Sequence, residues 1–156
     1  MMELAPSLSV QLISCTVACV GFAIWFRVKG IQILYAGIGA FFTWLVYALL
    51  FDMWGSNFIA TLIGAVFVAA YAQMMARVNK APATIFLTAS VFPLVPGPNL
   101  YYMMYALVME EYETAKSEAL TLLITCLGIV FGFLIVEILN KYIMRLINTV
   151  RSRHRK

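Results

Sequence analysis

Charge is scarce in this sequence, and the residues that usually perform chemistry are scarcer still. Only 12% of the 156 residues are Asp, Glu, Lys or Arg, against about 25% in an ordinary soluble domain, which excludes a water-soluble fold of this length. The one histidine, His154, lies in a basic C-terminal stretch away from other ligand types. Cys15 and Cys19 are one helical turn apart and Cys126 is distant. Small apolar cysteines are ordinary in membrane helices, and without a nearby histidine they make no metal set. No nucleophile stands in a pattern with a base and an orienting partner. The chain therefore reads as a non-enzyme, with no catalytic residues, no metal and no cofactor.

What the sequence has is hydrophobic residues, 63% of the total, gathered in long runs. Crossing a hydrocarbon core of ~30 Å takes roughly 20 residues at ~1.5 Å each. Runs between charges give five spans, at residues 8–26, 31–51, 56–76, 83–109 and 119–140. They account for nearly the whole chain, so residues 1–156 read as a single integral membrane domain, all-α. No Lys or Arg precedes the first run, which lacks the positive start of a signal peptide. Leu12-Ile13-Ser14-Cys15 loosely resembles a bacterial lipoprotein cleavage box, but apolar sequence continues to Phe26 and the run is read as a span.

The cations orient the chain. Arg27 and Lys29 lie between the first two spans, Arg77 and Lys80 between the third and fourth, and Lys141, Arg145, Arg151, Arg153, Arg155 and Lys156 in the tail. With five spans these segments share one side. Lys116 is the exception, in a link that also carries Glu110, Glu111, Glu113 and Glu118; Glu3 and Asp52 fall on that acidic side too. The positive-inside rule predicts the N-terminus out and the C-terminus in. The basic tail reads as a topology anchor continuing the last helix, or as a lipid- or partner-binding segment. No recognition motif accompanies it, so no nucleic acid is expected.

The fourth span is unlike the others. It is too long for a straight crossing, and its middle reads Phe92-Pro93-Leu94-Val95-Pro96-Gly97-Pro98-Asn99. Three prolines remove the amides that would bond the carbonyls of Ala89, Phe92 and Leu94, and Gly97 is free to take unusual backbone angles. The sequence predicts two half-helices, about 83–92 and 98–109, joined by a non-helical turn at membrane depth. Irregular backbone is tolerated there only where protein buries it or water reaches it. Pro98 suits the first position of the second half, and the amides of Asn99, Leu100 and Tyr101 are expected to face the break as donors for a carboxylate. Carbonyls freed from the first half offer the complementary site for an ammonium group or cation. Such discontinuous helices hold solutes at the midplane of many secondary transporters. Thr84 and Thr88 stack one turn apart, Ser90 is near the break, and Tyr101 and Tyr105 stack on the second half. The candidate binding set is Pro93, Pro96, Gly97, Asn99, Tyr101, Thr88 and Ser90. The bland alternatives are prolines that shape packing, threonines that bond their own backbone and tyrosines of an interfacial belt.

Glu137 is the carboxylate inside a predicted span and is the candidate proton carrier. Lys141 follows four residues later, the spacing of a helical ion pair, which is the competing reading. Gly128 and Gly132 form a small-xxx-small step that admits a close helix neighbour.

The stretch Pro93-Leu94-Val95-Pro96-Gly97-Pro98-Asn99-Leu100-Tyr101 resembles the central motif of the bacterial threonine/serine exporter family: proline, two apolar residues, Pro-Gly, three variable residues, then Tyr. Pro93, Pro96, Gly97 and Tyr101 occupy those positions, and Pro98 departs from the small or polar residue expected there. The resemblance implies a carboxy-terminal five-span half, which in some bacteria is a separate small subunit working with a larger membrane subunit. It further implies a cell-membrane location among lipids, proton-driven export, and threonine, serine or a dicarboxylate such as succinate as substrate. Two alternatives stay open: a scaffold or assembly subunit with no path of its own, and a homo-oligomeric channel or transporter.

Overall fold

The computed structural model describes residues 7–28 and 30–153, with side chains as far as Arg145. Glu3, Lys29, His154, Arg155 and Lys156 lie outside the described residues, as do the side chains of Arg151 and Arg153. The elements are α1 (Leu8–Trp25), α2 (Ile31–Trp54), α3 (Asn57–Asn79), α4 (Ala83–Val91), a 3-10 turn (Phe92–Leu94), α5 (Gly97–Val108) and α6 (Tyr112–Arg153). The described residues contain no strand. α1, α2, α3 and α6 are each long and apolar enough to cross a membrane, and α4 with α5 forms a bent pair that makes a fifth candidate.

Helix ends follow local chemistry. Gly55, with φ 63°, closes α2. Arg27, Lys80 and Glu110 adopt the same left-handed conformation without being glycine. Each is followed by an amide reaching back five residues: Val28 to Ala23, Ala81 to Ala76 and Glu111 to Ala106, at 3.0, 3.1 and 2.8 Å. These bonds satisfy carbonyls that a helix end otherwise leaves open. Arg27 and Lys80 also place cations where the helix dipole favours them.

The last helix is longer than the predicted span. At 42 residues it measures about 63 Å, roughly twice the hydrocarbon core. Residues 112–118 contain no glycine or proline, and Glu113 lies in the first turn, where the dipole favours an acid. The far end continues the helix backbone to Arg153.

Small residues build the interior. Ala23, Ala36, Ala40, Ala65, Ala69 and Ala72 are buried, while Val17, Trp25, Leu34, Leu123 and Leu127 face outward. This is the packing expected where lipid is the solvent, because small side chains let helices approach closely. α4 lies among α1, α2 and α3; α6 packs on α3; and α5 packs on α6. Gly128 and Gly132 face α3 within the chain: a Cβ on Gly132 would lie 2.5 Å from Ala65 Cβ and 2.9 Å from the Leu62 carbonyl oxygen. Gly39 on α2 is equally crowded, by the Ser90 hydroxyl and the Tyr71 ring.

Candidate functional site at the broken helix

The break is an ordered sequence of short bonds. α4 gives way to one 3-10 turn, in which the Val95 amide donates to the Phe92 carbonyl at 3.1 Å, so one of the carbonyls orphaned by proline is satisfied locally. Val95 is extended (φ −67°, ψ 124°), as a residue preceding proline prefers. Pro96, at φ −77° and ψ 57°, centres an inverse γ-turn, with the Gly97 amide donating to the Val95 carbonyl at 2.8 Å. α5 then starts with Pro98 in its first turn. The axes of the two halves bend by 51°.

Neighbouring helices fix this turn. Phe92 stacks on Phe22 of α1, centroids 4.0 Å apart and nearly parallel. Leu94 is buried against Ala65 and Val68 of α3, over Gly64, where a Cβ would approach it to 3.1 Å. The Ser90 hydroxyl donates to the Ala36 carbonyl of α2 at 3.0 Å, and the Tyr71 hydroxyl to the Tyr35 carbonyl at 2.7 Å. The Ser90 hydroxyl and the Tyr71 ring both lie against Gly39.

Beside the turn lies a cavity of about 290 Å³, lined by Pro93, Leu94, Val95, Pro96, Pro98 and Asn99 from the break, and by Trp44 and Tyr47 (α2), Asn57 (α3) and Thr125 (α6). It is at the small end of ligand pockets, which run from roughly 300 Å³ upward, and suits a small solute. Its polar groups have distinct roles. The Tyr47 hydroxyl donates to Asn57 Oδ1 at 3.2 Å. Asn99 Nδ2 donates to the Glu118 carboxylate of α6 at 2.8 Å. The Thr125 hydroxyl bonds the Thr121 carbonyl of its own helix. The Trp44 indole N–H is buried and finds no acceptor among the described residues.

Of the residues expected from sequence, Pro93, Pro96 and Asn99 line this cavity. Gly97 is exposed, holds no positive φ, and a Cβ there would meet nothing within 4 Å. The unusual angles expected of it are therefore absent, because Pro96 supplies the turn instead. The amide set also differs: the Leu100 amide donates to the Pro96 carbonyl at 3.2 Å and is not free for a ligand. Ser90 faces α2 with its hydroxyl proton used. Thr88 is exposed and bonds the Thr84 carbonyl at 2.6 Å. Tyr101 is 65% exposed, stacked on Tyr105 along the outer face of α5. Glu137 is exposed and pairs with Lys141 at 2.9 Å. No group of His, Cys, Asp and Glu among the described residues could hold a metal ion.

Sequence reasoning missed Trp44, Tyr47, Asn57, Glu118 and Thr125. One signal was present: Trp44, Tyr47 and Phe51 recur at helical spacing and form a stacked aromatic column. Glu118 falls in the sequence between two predicted spans, whereas it stands in the second turn of α6.

Comparison with known proteins adds the family. A family model described as Threonine/Serine exporter, ThrE, matches residues 11–139, covering the whole of the broken helix. No curated protein and no solved structure matched the chain. The match spans well over half the sequence, and its members are transporters, not enzymes. With its apolar helices and its proline-broken pair, the chain is a multi-pass membrane protein that belongs to the threonine/serine exporter family.

Proposed function

We propose that this chain is the small subunit of a split, proton-coupled exporter of threonine, serine or a related small carboxylate in a bacterial cell membrane. The observation that carries the reading is the small cavity beside the broken α4–α5 pair, with Tyr47, Asn57, Asn99 and Thr125 on an otherwise apolar wall, in a chain of an exporter family. Asn99, whose Nδ2 keeps a second hydrogen beyond its bond to Glu118, lines the cavity at the start of α5, where the helix dipole favours a carboxylate. Glu118, held to Asn99, stands closer to it by bonding than Glu137, whose pairing with Lys141 favours the ion-pair reading.

In this proposal α4 and α5 together make one span. The bend of 51° supports this reading, since a re-entrant loop has to reverse its direction. With five spans, Arg27, Arg77, Lys80, Lys141 and Arg145 share one face, and Asp52, Glu110, Glu111, Glu113 and Glu118 the other. With four, Lys141 and Arg145 would cross to the face of Asp52, and Glu110, Glu111, Glu113 and Glu118 would join Arg27, Arg77 and Lys80. The charge pattern favours five spans, N-terminus out and C-terminus in. In a fused form of such a subunit pair, five spans per half would set the two halves in opposite orientations, so the partner half is expected to run N-in and C-out, the arrangement of many alternating-access carriers.

The test is efflux of preloaded labelled threonine, serine and succinate from cells lacking their own exporters. The cells express this chain, a candidate larger subunit, or both. Flux with both together is the expected result, and the label that leaves names the substrate. Flux from this chain alone would replace the split exporter with a homo-oligomer. No flux, with both proteins in the membrane, would make the chain a scaffold.

A further inference from the structure

The cavity at the break has a neighbour. A larger cavity, about 680 Å³, opens between α1 and α2 toward the acidic end of the bundle, with Leu8, Gln11 and Asp52 on its wall. Trp44 and Tyr47 are the residues common to both linings. The two spaces thus share one aromatic pair in their walls, stacked at 5.2 Å with an interplanar angle of 28°.

The two rings are held differently. Tyr47 is anchored: its hydroxyl donates to Asn57 and its ring also stacks on Phe51. Trp44 has the stack alone, and its N–H is enclosed with no acceptor among the described residues. A buried donor in that condition bears the full desolvation penalty of the group, so this ring position is stabilised by packing against its own polar preference. An indole nitrogen only donates. Any solute group that relieves it must be an acceptor, and it is relieved best by a charged one.

We propose that Trp44 is the gate between the two cavities. The indole swings against a fixed Tyr47, opening the break cavity toward the acidic face, and its N–H donates to the carboxylate of the passing solute. The gate rests on the reading of the break as the solute site, and it adds a residue of α2, remote in sequence from the proline motif, that senses the solute's acid group.

Two measurements on the protein with its working partner test it. In the efflux assay Trp44→Phe keeps a ring to stack on Tyr47 and loses the N–H together with the pyrrole half of the indole. The half-saturating concentration of the exported label is expected to rise about tenfold at unchanged expression, as for a lost hydrogen bond to a charged acceptor. In a chain carrying Trp25→Phe and Trp54→Phe, Trp44 is the sole tryptophan of this chain, and with a partner whose own tryptophans are replaced by Phe its emission is expected to shift saturably with the exported label. A native half-saturation in Trp44→Phe, or an emission unmoved by a label that the same protein exports, overturns the gate. If Pro96→Ala abolishes export while both Trp44 measurements are null, the gate falls and the site at the break stands. If the unsubstituted protein exports none of threonine, serine and succinate, both fall together.

Discussion

The side-chain amide of Asn99 donates to the carboxylate of Glu118 at 2.8 Å, tying the helix that leaves the proline break to the helix that ends the chain. α5 packs on α6, and most of its other side chains, Leu100, Tyr101, Tyr102, Met104 and Tyr105 among them, face outward. The bond is therefore a main restraint on where the second half-helix begins. Glu118→Ala should release it at about 1 kcal/mol, discounted for partial exposure. Hydrogen exchange at the amides of α5 is then expected to quicken roughly fivefold, with α3 unchanged. Glu118→Gln, which keeps an acceptor, should quicken it less. Unchanged exchange in Glu118→Ala would show the bond to be incidental.

Two glycines should be intolerant for different reasons. At Gly39 an added Cβ meets the Tyr71 ring at 2.6 Å and the Ser90 hydroxyl at 2.5 Å, both side chains that can yield. At Gly132 it meets Ala65 Cβ at 2.5 Å and the Leu62 backbone oxygen at 2.9 Å, which cannot move without α3. Overpacking of this kind costs about 1–3 kcal/mol. Thermal unfolding in detergent is expected to fall for both alanine variants, and further for Gly132→Ala.

Gly97 is the counter-case. A Cβ there meets nothing within 4 Å and no unusual φ forbids it, so Gly97→Ala should leave unfolding temperature and expression within error. Loss of export in that variant would mark the backbone at the mouth of α5 as a surface that a solute or partner approaches. Full export would remove Gly97 from the site.

Glu137 and Lys141 form an exposed pair one turn apart. Exposed helical pairs contribute about 0.3–0.5 kcal/mol, so Glu137→Gln should change stability little. If the ion pair is all Glu137 does, the pH profile of efflux in Glu137→Gln will overlay the unsubstituted one. A profile that flattens would make Glu137 the proton carrier after all.

Much of the helical architecture was legible because lipid imposes simple rules: long apolar runs, and a break where three prolines remove backbone donors. The half-helix bounds at Val91 and Gly97 fall close to those expected, since Pro93, Pro96 and Pro98 leave few alternatives. The site was less legible. Thr88 and Ser90 are near the break in sequence, yet one turns outward and the other spends its proton on α2; proximity along a helix does not say which face a side chain takes. Trp44, Asn57 and Glu118 come from elements remote in sequence and meet the break only through packing. The extension of α6 back to Tyr112 was hidden by its charges, which look like a loop between spans but are good helix formers.

The most direct test of a solute site at the break is protection from thiol modification. In a background with Cys15→Ala, Cys19→Ala and Cys126→Ala, single cysteines are introduced by Asn57→Cys and Asn99→Cys in the cavity wall and by Tyr101→Cys on the outer face of α5. A small membrane-permeant thiol reagent is then applied with and without the exported solute. Occupation of the cavity predicts that the solute slows modification at positions 57 and 99 and leaves position 101 unchanged. Equal rates with and without solute at 57 and 99, in a protein that still exports, would contradict the account.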